Sequence, residues 1–313
     1  MKFRIIFLKK KYIYFFILLL IFISAVIVFM VSRSSSPSFN TISNNKKIKA
    51  DFNGDGKEDI LSIVRNKNKY SMKAIIGDKS FNFQTDRNSP TIEGYSPYWP
   101  IRVILMDVSR NKIPEIFVQG SIANKPVQRV FTFNNNKFDN IFSNYNNILG
   151  FIDCKNNKTP KIISGKFQGD NMTLSNYIFL NYKFKNYNYE NDNTFMGKDT
   201  ICTFIKLIQG LPQSESYKPK DIFYSNISSE NMSLIGNMSG ENNSYVFQDA
   251  LFMENKCDAN GNTSELSWTL NFKAISNTDT NIVKNYTLNL ALIPDKSSEK
   301  KYHFKIASMY RSK

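Results

Sequence analysis

Histidine is nearly absent from this sequence and cysteine is scarce, with one His and three Cys in 313 residues. A histidine-rich zinc centre is thereby excluded, and a Ser-His-Asp triad would have to use His303. That residue stands in the alternating segment Tyr302-His303-Phe304-Lys305-Ile306 and reads as part of a strand. Cys154, Cys202 and Cys257 are odd in number and share no C-x-x-C spacing, so they read as small buried residues and not as a disulfide framework. No lipobox cysteine exists, because the first cysteine is Cys154.

Charge is missing from one long stretch. Tyr12 to Val31 is a run of about 20 almost wholly apolar residues, the length of helix that crosses a bilayer core. Lys2, Arg4, Lys9, Lys10 and Lys11 precede it with no acid among them. The positive-inside rule therefore keeps 1–11 as a cytoplasmic tail, makes 12–31 a single-pass anchor and sends the rest outward. A cleavable signal peptide has a shorter apolar region and an A-x-A-like site, whereas Val31-Ser32-Arg33 follows here. The expected location is the cell membrane, with the body extracytoplasmic.

Five of the 41 Lys+Arg and none of the 26 Asp+Glu lie in the first 31 residues, so the remainder keeps a formal charge of +10 out of +15. Such a surface attracts wall polymers, acidic glycans or lipid headgroups over a Debye length of about 10 Å. The lysines are scattered, as an AT-rich genome would leave them, and no nucleic acid partner is expected outside the cell.

Ser32 to Lys47, rich in Ser, Asn and Lys, reads as a flexible linker. Residues 48–193 then read as short strands with frequent turn residues. Their most informative segment is Asp51-Phe52-Asn53-Gly54-Asp55-Gly56-Lys57-Glu58-Asp59, with oxygen donors at positions 1, 3, 5 and 9 and glycine at position 6. A hard cation takes six to eight oxygens at about 2.3–2.6 Å, so a short loop must fold back on itself. Gly56 permits that turn and the carbonyl of Lys57 supplies a further donor, making Asp51, Asn53, Asp55, Lys57 and Asp59 the candidate calcium ligands. An EF-hand would place a bidentate Glu at position 12 and a helix after it; Ser62 stands there, inside the strand pattern Ile60-Leu61-Ser62-Ile63-Val64.

A D-x-N-x-D-G-x-x-D loop leading into a strand resembles the FG-GAP/VCBS repeat of the integrin-alpha type. Asp107-Val108-Ser109-Arg110-Asn111-Lys112-Ile113-Pro114-Glu115 and Asp153-Cys154-Lys155-Asn156-Asn157-Lys158-Thr159-Pro160-Lys161 copy its spacing, and a strand-turn-strand unit recurs after each loop. The second loop has Asn111 at its centre, and the third has Lys155 and Lys161 at ligand positions, so only the first is expected to bind calcium. The resemblance implies blade-like β units with a partner-binding face. Three units are too few for a propeller, so an open β-array or the remnant of a propeller is expected.

Residues 194–313 read as a helix and a sheet. Asp199 or Thr200 is placed to cap a helix with Ile201, Phe204, Ile205 and Ile208 on one face, ended by Gly210 and Pro212. Strands follow at 244–253, 265–275, 285–293 and 301–309, a pattern that looks like a cystatin or nuclear-transport-factor type of α+β domain. The aromatic segment Gly94-Tyr95-Ser96-Pro97-Tyr98-Trp99-Pro100 is either a sugar-stacking platform or a turn that plugs a β core. Glu190 and Asp192 near Asp199 read as a solvated hinge. The fold class expected is mainly β with an α+β C-terminal part: a transmembrane helix, three degenerate propeller-blade-like repeats, then a helix on an antiparallel sheet. The function expected is a non-enzymatic, membrane-anchored binding or adhesion module with a structural calcium loop and a wall polymer, glycan or protein as ligand. The alternative is a hydrolase of envelope polymers working through two carboxylates.

Overall fold

The computed structural model describes residues 10–32, 39–41, 47–85, 91–155, 160–187, 195–212, 219–295 and 300–312. It is mainly β and divides into two units, Met1–Ser38 and Phe39–Lys313. The first contains helix α1 (Lys10–Ser32), built from helix-compatible Leu, Ile and Phe without an interior Gly or Pro. Tyr14, Phe15, Phe16 and Leu18 are each more than 60% exposed, so the helix presents apolar side chains at its surface. The side chains described in α1 end at Ser24, and among the described residues no helix is long and apolar enough to cross a membrane. The side chains of the expected span are therefore described only in part, and most of the cytoplasmic tail and the hinge residues Glu190 and Asp192 lie outside the described residues.

The second unit is made of antiparallel meanders. The first is β2 (Lys47–Ala50), β3 (Asp59–Asn66), β4 (Lys69–Ile76) and β5 (Lys79–Asn82); the second is β7 (Arg102–Met106), β8 (Glu115–Ile122), β9 (Lys125–Asn134) and β10 (Lys137–Asn144). The third is β11 (Ile148–Ile152), β12 (Lys161–Gln168), β13 (Asn171–Leu180) and β14 (Lys183–Tyr187). Each has four strands, and in each the candidate loop joins the first to the second. Two-residue turns with left-handed Asn135-Asn136 and Asn181-Tyr182 close the last hairpins of the second and third.

The first two meanders belong to one ten-stranded sheet, linked through β6 (Thr91–Gly94), which pairs with both β4 and β8. An additional edge strand, β1 (Phe39–Thr41), pairs antiparallel with β7. The stretch read as a spacer is thus partly sheet, since an exposed strand edge recruits passing backbone through its main-chain groups alone. Ser32 ends α1 and Lys47 opens β2, and residues 33–38 and 42–46 lie outside the described residues.

A second sheet joins the third meander to the C-terminal strands β15 (Asn243–Cys257), β16 (Thr263–Ser276), β17 (Val283–Pro294) and β18 (Phe304–Arg311), in the order β14-β13-β12-β11-β15-β16-β17-β18. The seam is the parallel pair β11 and β15, in which Gly150 is opposite Phe252. A Cβ on Gly150 would lie 2.1 Å from the Phe252 ring, which stacks on Trp268 at 4.4 Å between centroids. The division expected at 193/194 is therefore crossed by one continuous sheet. The C-terminal strands themselves form a fourth meander, with Asp258-Ala259-Asn260-Gly261-Asn262 between its first and second strands.

Helix α2 (Lys198–Gln209) lies on this sheet, with Ile201, Phe204, Ile205 and Ile208 all fully buried. Each such side chain contributes about 1.5–3 kcal/mol relative to exposure. Neither expected residue caps it. The N-cap is Gly197 in a left-handed conformation, with no side-chain cap bond, and the Thr200 hydroxyl donates to the Phe304 carbonyl at 2.5 Å. A Cβ at position 197 would approach Leu292 to 2.6 Å, so glycine is required by packing as well as by φ. A second helix, α3 (Ser229–Gly240), escaped the sequence reading; Ser228 caps it by accepting the Asn231 N–H at 3.2 Å. His303 falls just before β18 and is exposed.

A further layer of core lies between the sheets, where Ile104, Phe117 and Val130 of the first pack on Phe151, Leu251 and Met253 of the second.

Candidate metal centre in the first interstrand loop

Residues 51–59 form a wound loop between β2 and β3. The Asp51 carboxylate accepts the N–H groups of Gly54 at 2.6 Å and Gly56 at 2.8 Å. Asn53 accepts from the Asp55 N–H at 3.0 Å, and Asp55 accepts from the Lys57 N–H at 2.8 Å. Asp59, only 3% exposed at the start of β3, accepts the Phe52 N–H at 2.9 Å. Gly54 and Gly56 are left-handed, with φ of 79° and 82°. The carboxylates at positions 1, 5 and 9 thus hold the turn through their own backbone.

The second loop uses the same scheme. Glu115, 1% exposed, accepts the Val108 N–H at 2.8 Å; Asp107 accepts from Lys112 at 2.9 Å; Asn111 accepts from Ile113 at 2.8 Å. Arg110 and Lys112 are left-handed at the positions of Gly54 and Gly56, with φ of 64° and 68°. In the third loop position 9 is Lys161, and the acceptor comes from elsewhere: Glu254 of β15 takes the Asp153 N–H at 2.5 Å and the Cys154 N–H at 2.7 Å. Asn156 to Thr159 of that loop lie outside the described residues. In the fourth meander, Asp258 accepts the N–H groups of Asn260 at 2.9 Å and Asn262 at 2.7 Å, with Gly261 left-handed at φ 74°.

The electrostatics separate the first loop's carboxyls. Burial raises Asp59 above the ordinary carboxylate value against the pull of the Phe52 N–H, and the charges of Asp55 and Asp51 push it further up. Asp55 is lowered, chiefly by its bond with the Asn53 amide and then by the Lys57 N–H. Glu115 is raised by burial, with the N–H of Val108 acting in the opposite direction. Among the described residues no group of three or more His, Cys, Asp or Glu side chains is gathered as a metal cage. The donor chemistry of the first loop nonetheless fits calcium. Every donor is oxygen, the left-handed turns are formed, and Asp59 feels the charges of Asp51 and Asp55, a repulsion that a bound cation would reverse. Asp51, Asn53, Asp55, the Lys57 carbonyl and Asp59 would hold the ion, and Asn111 with Arg110 leaves the second loop poorer in charge.

Other expected features are placed as follows. Trp99 is 6% exposed and donates from Nε1 to Asp249 at 2.5 Å, so the aromatic segment plugs the interior, while Tyr95 packs edge-on against Tyr70. Cys154 and Cys257 form a disulfide with a Cα–Cα separation of 5.4 Å, contrary to the expectation of isolated thiols; only a 103-residue separation hid a pair that the β11–β15 seam brings together. Cys202 is free, and burial pushes its thiol up to about 11. The buried carboxylates Asp59, Glu115 and Asp249 serve three separate sets of partners. Asp153 and Glu254 share a cleft of about 150 Å³, but Glu254 has both oxygens engaged, one by two backbone N–H groups and one by the Thr263 hydroxyl.

Three features escaped the sequence: Glu254 at the third loop, the disulfide and the Asp258 loop between β15 and β16. The last had a signal, because Asp258, Asn260 and Gly261 keep the spacing of Asp51, Asn53 and Gly54, with Asn262 at the place of Asp55. Comparison of the chain with protein-family models, with curated proteins and with solved structures finds no match.

Proposed function

We propose that this chain is a single-pass, membrane-anchored, extracytoplasmic binding module of FG-GAP/VCBS-like repeats, with one structural calcium in its first loop. The observation that carries the placement is the Cys154–Cys257 disulfide, because such bonds persist in oxidising compartments and are rare in the cytosol. The exposed apolar surface of α1 supports it, as does Ser24, whose hydroxyl donates to the Ile21 carbonyl at 2.8 Å and so needs no partner outside its own helix. Calcium there offsets two of the three carboxylate charges and staples β2 to β3; it performs no chemistry.

The placement is tested by expressing the full chain with a C-terminal tag in a bacterium and adding protease to intact spheroplasts. Recovery in the membrane fraction with loss of the tag is expected; a protected tag, or a soluble chain, defeats the proposal. The metal is tested by calorimetric titration of calcium into chelator-treated protein. One site with a dissociation constant of about 0.1–1 mM and a raised melting temperature is expected. Absence of heat and of any thermal shift removes calcium from the reading.

A further inference from the structure

The face of the C-terminal sheet that turns away from α2 and α3 changes character along its width. Near the seam it is apolar, with Leu251 and Met253 packed against the first sheet. Beyond them it carries a cross-strand ladder of hydroxyls and amides. Thr269 donates to Asn289 at 2.9 Å, Asn289 donates to Ser312 at 2.8 Å, and Ser267 donates to Asn255 at 3.0 Å. A groove of about 340 Å³ runs over this face, and the exposed ring of Tyr310, 63% accessible, stands in its wall.

Arg102 of β7 also lines the groove, although it is only 3% exposed. Its Nη1 donates to Gln119 and, at 3.2 Å, to Asp249. Its Nη2, buried as well, has no hydrogen-bond partner among the described residues. An unsatisfied buried guanidinium nitrogen costs stability, and in native proteins such a group usually answers to water or to a ligand. The charge of Arg102 is already balanced by Asp249, itself 1% exposed, and no other charged residue lines the groove. The walls thus offer neutral donors and acceptors, an aromatic face and an apolar floor. A charged ligand would find no counter-charge here, whereas the mixed apolar and hydroxyl faces of a sugar ring match each part.

We propose that this groove is a binding site for an uncharged saccharide, with Tyr310 stacking on a sugar ring, the Thr269–Asn289 ladder bonding its hydroxyls and Arg102 Nη2 donating to a sugar oxygen. The inference rests on the binding-module reading and narrows its ligand to neutral glycan.

The test uses the full chain in a detergent without a sugar headgroup, titrated with cellotetraose, mannotetraose, galactotetraose and chitotetraose, with tetragalacturonate as an anionic comparison. At least one neutral tetrasaccharide binds below about 1 mM, and Tyr310→Ala and Thr269→Val each weaken it about tenfold or more while the melting temperature holds. No neutral sugar binding at about 10 mM, tighter binding of tetragalacturonate than of any neutral sugar, or binding unaltered in both variants overturns the proposal. Isolated bacterial envelopes are tested in parallel. Retention of the wild-type and Tyr310→Ala chains alike overturns this site and leaves the binding-module reading standing; retention of neither, with no sugar bound, sinks both.

Discussion

Lys112 occupies in the second loop the left-handed position that Gly56 occupies in the first, with φ of 68° against 82°. A lysine held there bears strain of about 1–2 kcal/mol that a glycine avoids, and its N–H donates to Asp107 at 2.9 Å. Around Gly56 a Cβ would meet nothing within 4 Å, which isolates the backbone effect from packing.

Gly56→Ala is therefore expected to destabilise the protein by about 1–2 kcal/mol and to weaken calcium binding, with Gly56→Asn milder because Asn tolerates left-handed φ. Lys112→Ala should change stability by less than about 0.5 kcal/mol, since the strain is present in both. Denaturant titration of the three variants checks the order; an Ala at position 56 as harmless as one at 112 would show that the two loops differ in conformation.

Glu115 and Asp59 carry a pH signature. Both carboxyls are raised by burial, so the folded state holds their protons more tightly than the unfolded state does. Their contribution is full below the ordinary carboxylate values and is lost as pH rises through the raised ones; Asp55, lowered, acts with the opposite sign. Glu115→Gln keeps an acceptor for Val108 and removes the titration. Its melting temperature relative to wild type should increase between about pH 4 and pH 7. Thermal scans in chelator across that range decide it, and a constant difference would deny the linkage.

The calcium proposed for the first loop would compete with the proton at Asp59. Calcium affinity should accordingly fall as pH drops through the raised value of that carboxyl, more steeply than screening alone would give, and Asp59→Asn should flatten the dependence. Calorimetry at several pH values, with the protons released counted from buffer ionisation heats, is the measurement.

The Cys154–Cys257 bridge closes a 103-residue separation, for which chain entropy gives a stabilisation of about 4–5 kcal/mol and measured losses run about 2–5 kcal/mol. Cys257→Ser is expected to fall in that range by urea unfolding. Thiol titration of the denatured, unreduced protein should count one group, Cys202, and the folded protein should react slowly at neutral pH because that thiol is pushed up to about 11.

The periodic signals of the sequence were local, and they located what was local. The buried stripe Ile201, Phe204, Ile205 and Ile208 and the four C-terminal strands emerge within a few residues of their expected limits. The first loop also reads correctly as a turn, because its glycines and oxygens lie within nine consecutive positions. Helix α3 was hidden by its Asn, Ser and Gly content, which propensity disfavours and which Ile235 and Met238 overcome by burial. The disulfide, Glu254 at the third loop and the Arg102–Asp249 pair all depend on contacts 100 or more residues apart, and no local pattern announces them.

The parallel seam between β11 and β15 also sets an order of events. A chain made from its N-terminus completes β11 about 100 residues before its partner strand exists, so one edge of β11 waits with its backbone groups unpaired. Gly150, where even a methyl group would collide with Phe252, adds no side chain to that waiting edge. Until residue 253 has emerged, β11 presents an open edge to which the backbone of another chain could pair, which makes this seam a point of exposure to aggregation during synthesis.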